Sequence, residues 1–232
     1  MQKYKETTYK RLISMVQGAE EHGVASCRFW MSGFVALLGN NHLVSVTHYH
    51  EPRPKLLATP PSDTVHSWTI IPPSFTLSRS VEALLAIGQT INVVDASDSE
   101  DRLLQNGPFR LVSVSPNGKF VALYTDDGKV WVVSSDFQDK LSEYDSRVKT
   151  PPKDMQWCGN DAVVLAWDDE VHLIGPNGAA NKYGVASGVV LELGLMIVDT
   201  TTMDGYISYP MLMVFEYSQT KSASSFRKCL VS

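Results

Sequence analysis

The stretch that most constrains this chain is Gly107 to Gly178, where strand-like runs and tight turns alternate with no room for a helix. The first half reads PFRLVSVS, PNG, KFVALYT, DDG, KVWVVSS. The second reads KDMQWC, GND, AVVLAW, DDE, VHLIG, PNG. Each run is rich in Val, Leu and aromatics, and each is bounded by Asn or Asp with Gly, residues that tolerate the positive φ of hairpin turns. Consecutive strands joined this tightly pair with each other, so two antiparallel meanders are predicted. The runs are nearly continuous rather than alternating: Val130, Trp131, Val132 and Val133 are apolar on both sides of a pleat. Both faces of such a sheet must be covered, as in propeller blades stacked face to face.

The same punctuation begins at Val24. VASCRFW, GFVALL and HLVSVTH read as three strands, and EPRPKLLATPP carries the prolines of an edge strand and exit loop. SWTIIPP, VEALLAIG and TINVVDAS follow, and the polar run DSEDRLLQNG leads into the meanders. The third strand of each unit opens near Leu43, Ile91, Val130 and Val171, giving spacings of 48, 39 and 41 residues. A four-stranded propeller blade repeats about every 40–45 residues. The expected fold class is all-β: an incomplete WD40-like β-propeller of about four antiparallel blades. Outer strands are placed near PKLLA, DRLL and KLSEY. An arc of blades would leave two bare apolar end faces, which implies a longer parent protein.

Three regions are expected: 1–23 a weakly structured N-terminal segment, 24–183 a partial propeller, and 184–232 a poorly ordered tail. Leu12, Ile13, Val16 and Ala19 suit one face of a short helix, while Arg11 to Val16 equally suits a strand. Hydrophobic residues make up 44% and charged residues 19%, the balance of a chain with a core. The net charge of −5 argues against a general nucleic-acid binder. Cys27, Cys158 and Cys229 are too few and too scattered for a disulfide scaffold and suit reduced thiols in the cytoplasm. No signal peptide or membrane-spanning run is expected.

Little in the sequence points to chemistry. His42, His48 and His50, with Cys27 on a neighbouring strand, are the nearest thing to a zinc site, but no C-x-x-C or H-x-x-x-H spacing supports one. Asp126-Asp127-Gly128 and Asp168-Asp169-Glu170 cluster carboxylates where hairpin turns are needed, so turn chemistry is the expectation. Ser115 lies outside any G-x-S-x-G and reads as a strand end. Gly175, Gly178, Gly184 and Gly188 lack the order of a phosphate loop. Cys158, Trp68, Trp131, Trp157 and Trp167 are expected to pack in the core or between blades, and Trp30 suits either core or surface. The basic residues Arg53, Lys55, Arg79, Arg102 and Lys119 look dispersed among acids, with no stripe to track phosphates. No catalytic, cofactor or metal residue is assigned, and a propeller hydrolase is the weaker alternative to a scaffold.

Residues Gly23 to Asn181 resemble the N-terminal propeller region of the vacuolar protein sorting 16 family, in its fungal form. The resemblance is carried by FRLVSVSPNGKFVALYTDDGKVWVVSS, by PP-x-x-x-L-S-R at Pro72–Arg79, and most specifically by TPPKDMQWCGNDAVVLAW at Thr150–Trp167. It implies a non-enzymatic subunit of the class C tethering complexes, HOPS and CORVET, acting in endosome-to-vacuole transport and membrane fusion. The implied partners are the other subunits of those complexes, without nucleic acid, and with late-endosome and vacuole membranes met only peripherally. In the family a helical solenoid that contacts the Sec1/Munc18-like subunit follows the propeller, and nothing here matches it. A general propeller adaptor unrelated to trafficking is the other alternative.

After about Tyr183 the sequence departs from the family pattern, which continues as a strand and a segment like DGVR…EFL…VP. Back-translated and read one nucleotide earlier, PMLMVFEYSQTKSASSFRKCL admits DADGVRVFSNKKCEFLQKVP. The expectation is that residues from about 211 are translated out of frame and that about 186–210 are intron read-through. A spliced transcript encoding this tail would end that reading.

Overall fold

The computed structural model describes residues 16, 18–49, 51–175, 177–184, 213–216 and 227–230. A single helical turn, α1 (Ala19–His22), precedes the sheets. The strands are β1 (Val24–Trp30), β2 (Gly33–Leu38), β3 (Leu43–Thr47), β4 (Arg53–Leu56), β5 (Val65–Ile71), β6 (Glu82–Ile87), β7 (Thr90–Val94) and β8 (Ser99–Asp101). They continue as β9 (Phe109–Val114), β10 (Phe120–Thr125), β11 (Lys129–Ser134), β12 (Lys140–Asp145), β13 (Asp154–Cys158), β14 (Ala162–Ala166), β15 (Glu170–Ile174) and β16 (Ala180–Gly184). They form four four-stranded sheets, β1 to β4, β5 to β8, β9 to β12 and β13 to β16, each with its strands in sequence order. Four such meanders are the blades of a WD40-like propeller. Two further strands, β17 (Met213–Glu216) and β18 (Arg227–Leu230), pair antiparallel with each other. Otherwise the expectations for residues 1–15 and for the tail lie outside the described residues.

Two compact units divide the chain at Val114 and Ser115. In the first unit the pleat of β2 sorts its side chains. Val35 and Leu37 point into a cluster shared with Trp68, Ile70, Leu85 and Ile87 of the second sheet. Phe34, Ala36 and Leu38 point the other way, into a cluster with Val44, Val46, Val16 and Ala19. Alternate residues of a strand face opposite sides, so a strand buried on both must be apolar throughout. GFVALL satisfies this: all six residues are buried. Each fully buried aliphatic side chain contributes about 1.5–3 kcal/mol. The second cluster also alters one expectation. This face of the first blade is not bare, because Val16 and Ala19, from the segment before β1, pack on it.

In both units the second strand is the most buried: in β6 (EALLAI), β10 (FVALYT) and β14 (AVVLA) every residue after the half-buried first one is buried. Outer strands are the reverse. All four residues of β4 are exposed, and β12 and β16 have only exposed and half-buried residues. Two outer strands differ from the sequence reading. The outer strand of the second sheet is Ser99–Asp101, which ends at the first residue of DRLL, and β16 was not foreseen.

In the second unit three successive turns share one device. Ser115, Thr125 and Ser134 stand at or just past strand ends, and each hydroxyl donates to the carboxamide or carboxylate two residues on, Asn117, Asp127 and Asp136. Each hydroxyl then accepts the backbone N–H of Phe120, Lys129 or Asp139 across the turn. Short polar side chains thus meet backbone groups that the ladder leaves unpaired.

Candidate interaction surface

The residues weighed for chemistry are absorbed by structure. The Ser115 hydroxyl is fixed at 2.7 Å on Asn117 Oδ1, as a turn residue. Asp127 accepts from the Thr125 hydroxyl and lies 2.9 Å from Lys129 Nζ. The Thr125 hydroxyl and Lys129 together hold its carboxyl below the usual carboxylate range. Asp168 pairs with Lys153, and Glu170 opens β15 with its carboxylate 3.2 Å from His172 Nε2. Asp126 and Asp169 lie in the turns beside them. Gly175 and Gly178 belong to the turn between β15 and β16, where Gly178 N–H donates to Gly175 O at 3.1 Å; Gly184 ends β16, and Gly188 lies outside the described residues.

The histidines separate. His42 is a turn residue whose N–H donates to Asn40 Oδ1 at 3.1 Å. The strand expected through His48 ends at Thr47, and His48 has φ 62°. That turn breaks the two-residue alternation on which a shared face with His50 depended, and His50 lies outside the described residues. Cys27 packs against the cluster of Phe34 and Val44, and burial pushes its thiol up against a smaller pull from Arg28. Among the described residues no three His, Cys, Asp or Glu side chains gather as a metal site. Cys158 packs against Val164, Ala166 and Val171, and burial, with the Asp161 charge, raises its thiol too. Trp68, Trp157 and Trp167 are buried, while Trp131 and Trp30 are half-buried. Cys229 falls in β18, where only the backbone is described.

The sequence reading missed His172, whose side chain is fully buried. Its strand, EVHLI, reads as apolar, and nothing in the pattern singles it out. The ring packs 4.6 Å from the Trp167 ring and edge-on to Tyr144.

The basic residues need a correction. They are not all dispersed: Arg53, Lys55 and Arg79 line one groove of about 360 Å³ in the first unit, with Ser45, Thr47 and Ser80. Arg53 and Lys55 are supplied by the outer strand β4, and Arg79 by the loop between β5 and β6. Sequence distance hid the cluster; the fold removes it. That loop is self-braced. The Thr76 hydroxyl donates to Ser80 O at 2.7 Å, and Arg79 N–H donates to Thr76 O at 3.3 Å, which sets Arg79 at φ 53°. Arg53 reaches Glu51 at 3.4 Å on the open surface. Lys55 contributes to the field at Asp95. No described residue forms an ion pair with Arg79. Arg102 pairs instead with Glu100 at 3.1 Å, and Lys119 lies in the turn before β10; neither lines the groove. The groove therefore offers positive charge and hydroxyls with no acid in its lining, on a chain of net charge −5. It can bind an anion, but it holds no acid–base pair.

A family model described as "Vps16, N-terminal region" matches residues 6–204, reaching beyond the resemblance read over 23–181 at both ends. The probable vacuolar protein sorting-associated protein 16 homolog of Schizosaccharomyces pombe is 34% identical over 180 residues, which cover 74% of this chain and 22% of that protein. Protein VACUOLELESS1 of Arabidopsis thaliana is 31% identical over 218 residues, 83% of this chain and 25% of that protein. The vacuolar protein sorting-associated protein 16 homolog of Dictyostelium discoideum is 26% identical over 220 residues, 88% of this chain and 26% of that protein. The chain thus spans about a quarter of the length of these curated relatives. Among solved structures, the computationally designed Ika8 protein superposes with a TM-score of 0.53 at 15% identity, over 72% of this chain and 51% of that chain. At that identity the likeness bears on the fold alone.

Proposed function

The chain belongs to the Vps16 family, by its N-terminal region, and from that premise we propose that it is a non-enzymatic interaction element of vacuolar protein sorting. The observation that carries this reading is the family match over residues 6–204, joined by relatives named as vacuolar protein sorting-associated protein 16 homologs. The blades support it physically. The Ser115, Thr125 and Ser134 hydroxyls and the Asp127 carboxylate are engaged in turns, and the blades present loop and edge surfaces, the kind of surface on which recognition resides. The family resemblance points to the class C tethering assemblies HOPS and CORVET, acting where endosomes meet the vacuole. In this reading the partners are the other subunits, and membranes are approached through them. Among the described residues no helix is long and apolar enough to cross a membrane.

The test is affinity purification, from cells, of the tagged full-length gene product and of the tagged 232-residue chain. Recovery of class C tethering subunits with the full-length product is the expected result. Their absence from both purifications would overturn the proposal.

A further inference from the structure

We propose that the groove formed by β3, β4 and the loop before β6 binds an extended, acidic segment of a protein partner, with carboxylates at alternate positions. Charge complementarity is the first argument: Arg53, Lys55 and Arg79 line the groove and no carboxylate does. Spacing is the second. Arg53 and Lys55 stand two apart on β4, so their α-carbons are about 6.6–6.8 Å apart along one edge. That is the repeat of alternate side chains on an extended peptide. A lone phosphate is matched by cations that converge on one point, not by cations spaced along a strand. The third argument is the edge itself. β4 is the last strand of its sheet and is exposed throughout, so an extended segment can lie along it. Pro54 in its middle lacks an N–H, which leaves side chains rather than a full backbone ladder to read the ligand. The loop that supplies Arg79 also carries Phe75, half-exposed, and Leu77, fully exposed. These give the segment an apolar contact beside its charges. A flat lipid surface would meet the loop tip but not the concave wall made by β3 and β4. The inference does not depend on which complex the protein serves.

The test is fluorescence anisotropy on the whole chain, with a labelled peptide of alternating Glu and Thr about ten residues long. Controls are a peptide of the same composition with its Glu and Thr in alternating pairs, so that no two Glu stand two apart, and vesicles of phosphatidylcholine and phosphatidylserine. The alternating peptide should bind more tightly than the paired peptide and than the vesicles. The triple variant Arg53→Ser, Lys55→Ser, Arg79→Ser should weaken it at least about tenfold, and Lys119→Ser should leave it unchanged. If the triple variant folds poorly, Lys55→Ser and Arg79→Ser singly should each weaken binding about threefold or more. No peptide binding, equal binding of both peptides, or affinity indifferent to these substitutions would overturn the inference. Vesicle binding stronger than peptide binding and abolished by the triple variant would overturn it too, and would assign the groove to an anionic lipid surface.

Discussion

The Tyr144 hydroxyl lies 3.2 Å from Nδ1 of His172, joining the outer strand of one blade to a fully buried side chain of the next. On its other side the imidazole approaches Glu170, with Nε2 3.2 Å from the carboxylate but poorly aligned for a hydrogen bond. Burial, followed by the charges of Glu170 and Asp145, raises the Tyr144 phenol, so it serves here as a neutral hydroxyl. His172→Ala removes a ring packed between Trp167 and Tyr144 and should cost about 2–4 kcal/mol. Tyr144→Phe keeps the ring and loses the hydroxyl, for about 1 kcal/mol. Urea unfolding of both variants checks the order; a loss from Tyr144→Phe as large as that from His172→Ala would refute it.

Gly128 and Ser146 form a second joint, at the β10–β11 turn. The fully buried Ser146 hydroxyl donates to Gly128 O at 2.7 Å and accepts Val148 N–H at 3.2 Å. Gly128 itself has φ +87°, and a Cβ there would meet Val148 O at 3.0 Å. Ser146→Ala should cost about 1–2 kcal/mol, because Val148 N–H loses its acceptor and Gly128 O keeps only the Ser146 backbone N–H, at 3.1 Å. Gly128→Ala should cost about 1–2 kcal/mol from the left-handed backbone and the close carbonyl. Both should move the urea midpoint without changing the slope.

The parts of this fold that were legible are those where burial dictates residue type. GFVALL matches the bounds of β2 because all six of its residues are buried, and VASCRFW matches β1 because the Met31-Ser32 turn and Gly33 end it, although none of its residues is buried. The outer strands near PKLLA and KLSEY match β4 and β12, and the third is offset where exposure removes that constraint. In the second sheet the polar Ser-Glu-Asp of β8 forms the strand, and the more apolar Leu103-Leu104 lies outside it. ANKYG, with three of its five residues exposed, gave no reason to expect β16. The groove was illegible for a different reason. Arg53, Lys55 and Arg79 are ordinary surface residues until antiparallel pairing and a braced loop bring them to one wall. His172 was hidden by the apolar run around it.

Acid should loosen the protein in a particular window. The Asp127 carboxyl is held low by the Thr125 hydroxyl and then Lys129. Burial pushes Asp95 up, but hydrogen bonds from Ser97 and Asp98 and the Lys55 charge bring it below its usual range. A depressed folded value stabilises above the unfolded value, about 3.9, and that contribution is lost as pH falls through the folded value. Glu82 runs the other way: burial, then the Asp95 charge, pushes it up, so the fold disfavours its ionised form. Asp127 is 58% exposed, so screening limits it to well under about 1 kcal/mol. Urea midpoints should fall below about pH 4, with a shallower fall in Asp127→Asn and Asp95→Asn. Glu82→Gln should instead raise the midpoint at neutral pH. A steeper acid fall in the Asn variants would contradict the assignment.

Trp68 makes the strongest prediction because one side chain carries three kinds of contact between the first two blades. Its indole N–H donates to Ser26 Oγ at 2.8 Å, and the Arg28 guanidinium sits 5.0 Å over its ring. Arg28 Nε also donates to the Trp68 carbonyl at 3.2 Å. The ring is buried in the cluster with Val35, Leu37 and Leu85. Trp68→Ala should therefore cost about 3–5 kcal/mol, mostly through lost packing. Arg28→Ala removes the cation–π contact of an exposed guanidinium and a hydrogen bond to the backbone, and should cost about 1–2 kcal/mol. The side-chain part of the Arg28 contact needs the ring, while the hydrogen bond to the Trp68 carbonyl survives Trp68→Ala. The two losses should thus fall short of additivity by about 0.5–1 kcal/mol in a double-mutant cycle. Strict additivity would mean that Arg28 acts through the backbone carbonyl alone, and that packing rather than the cation holds the indole between the two sheets.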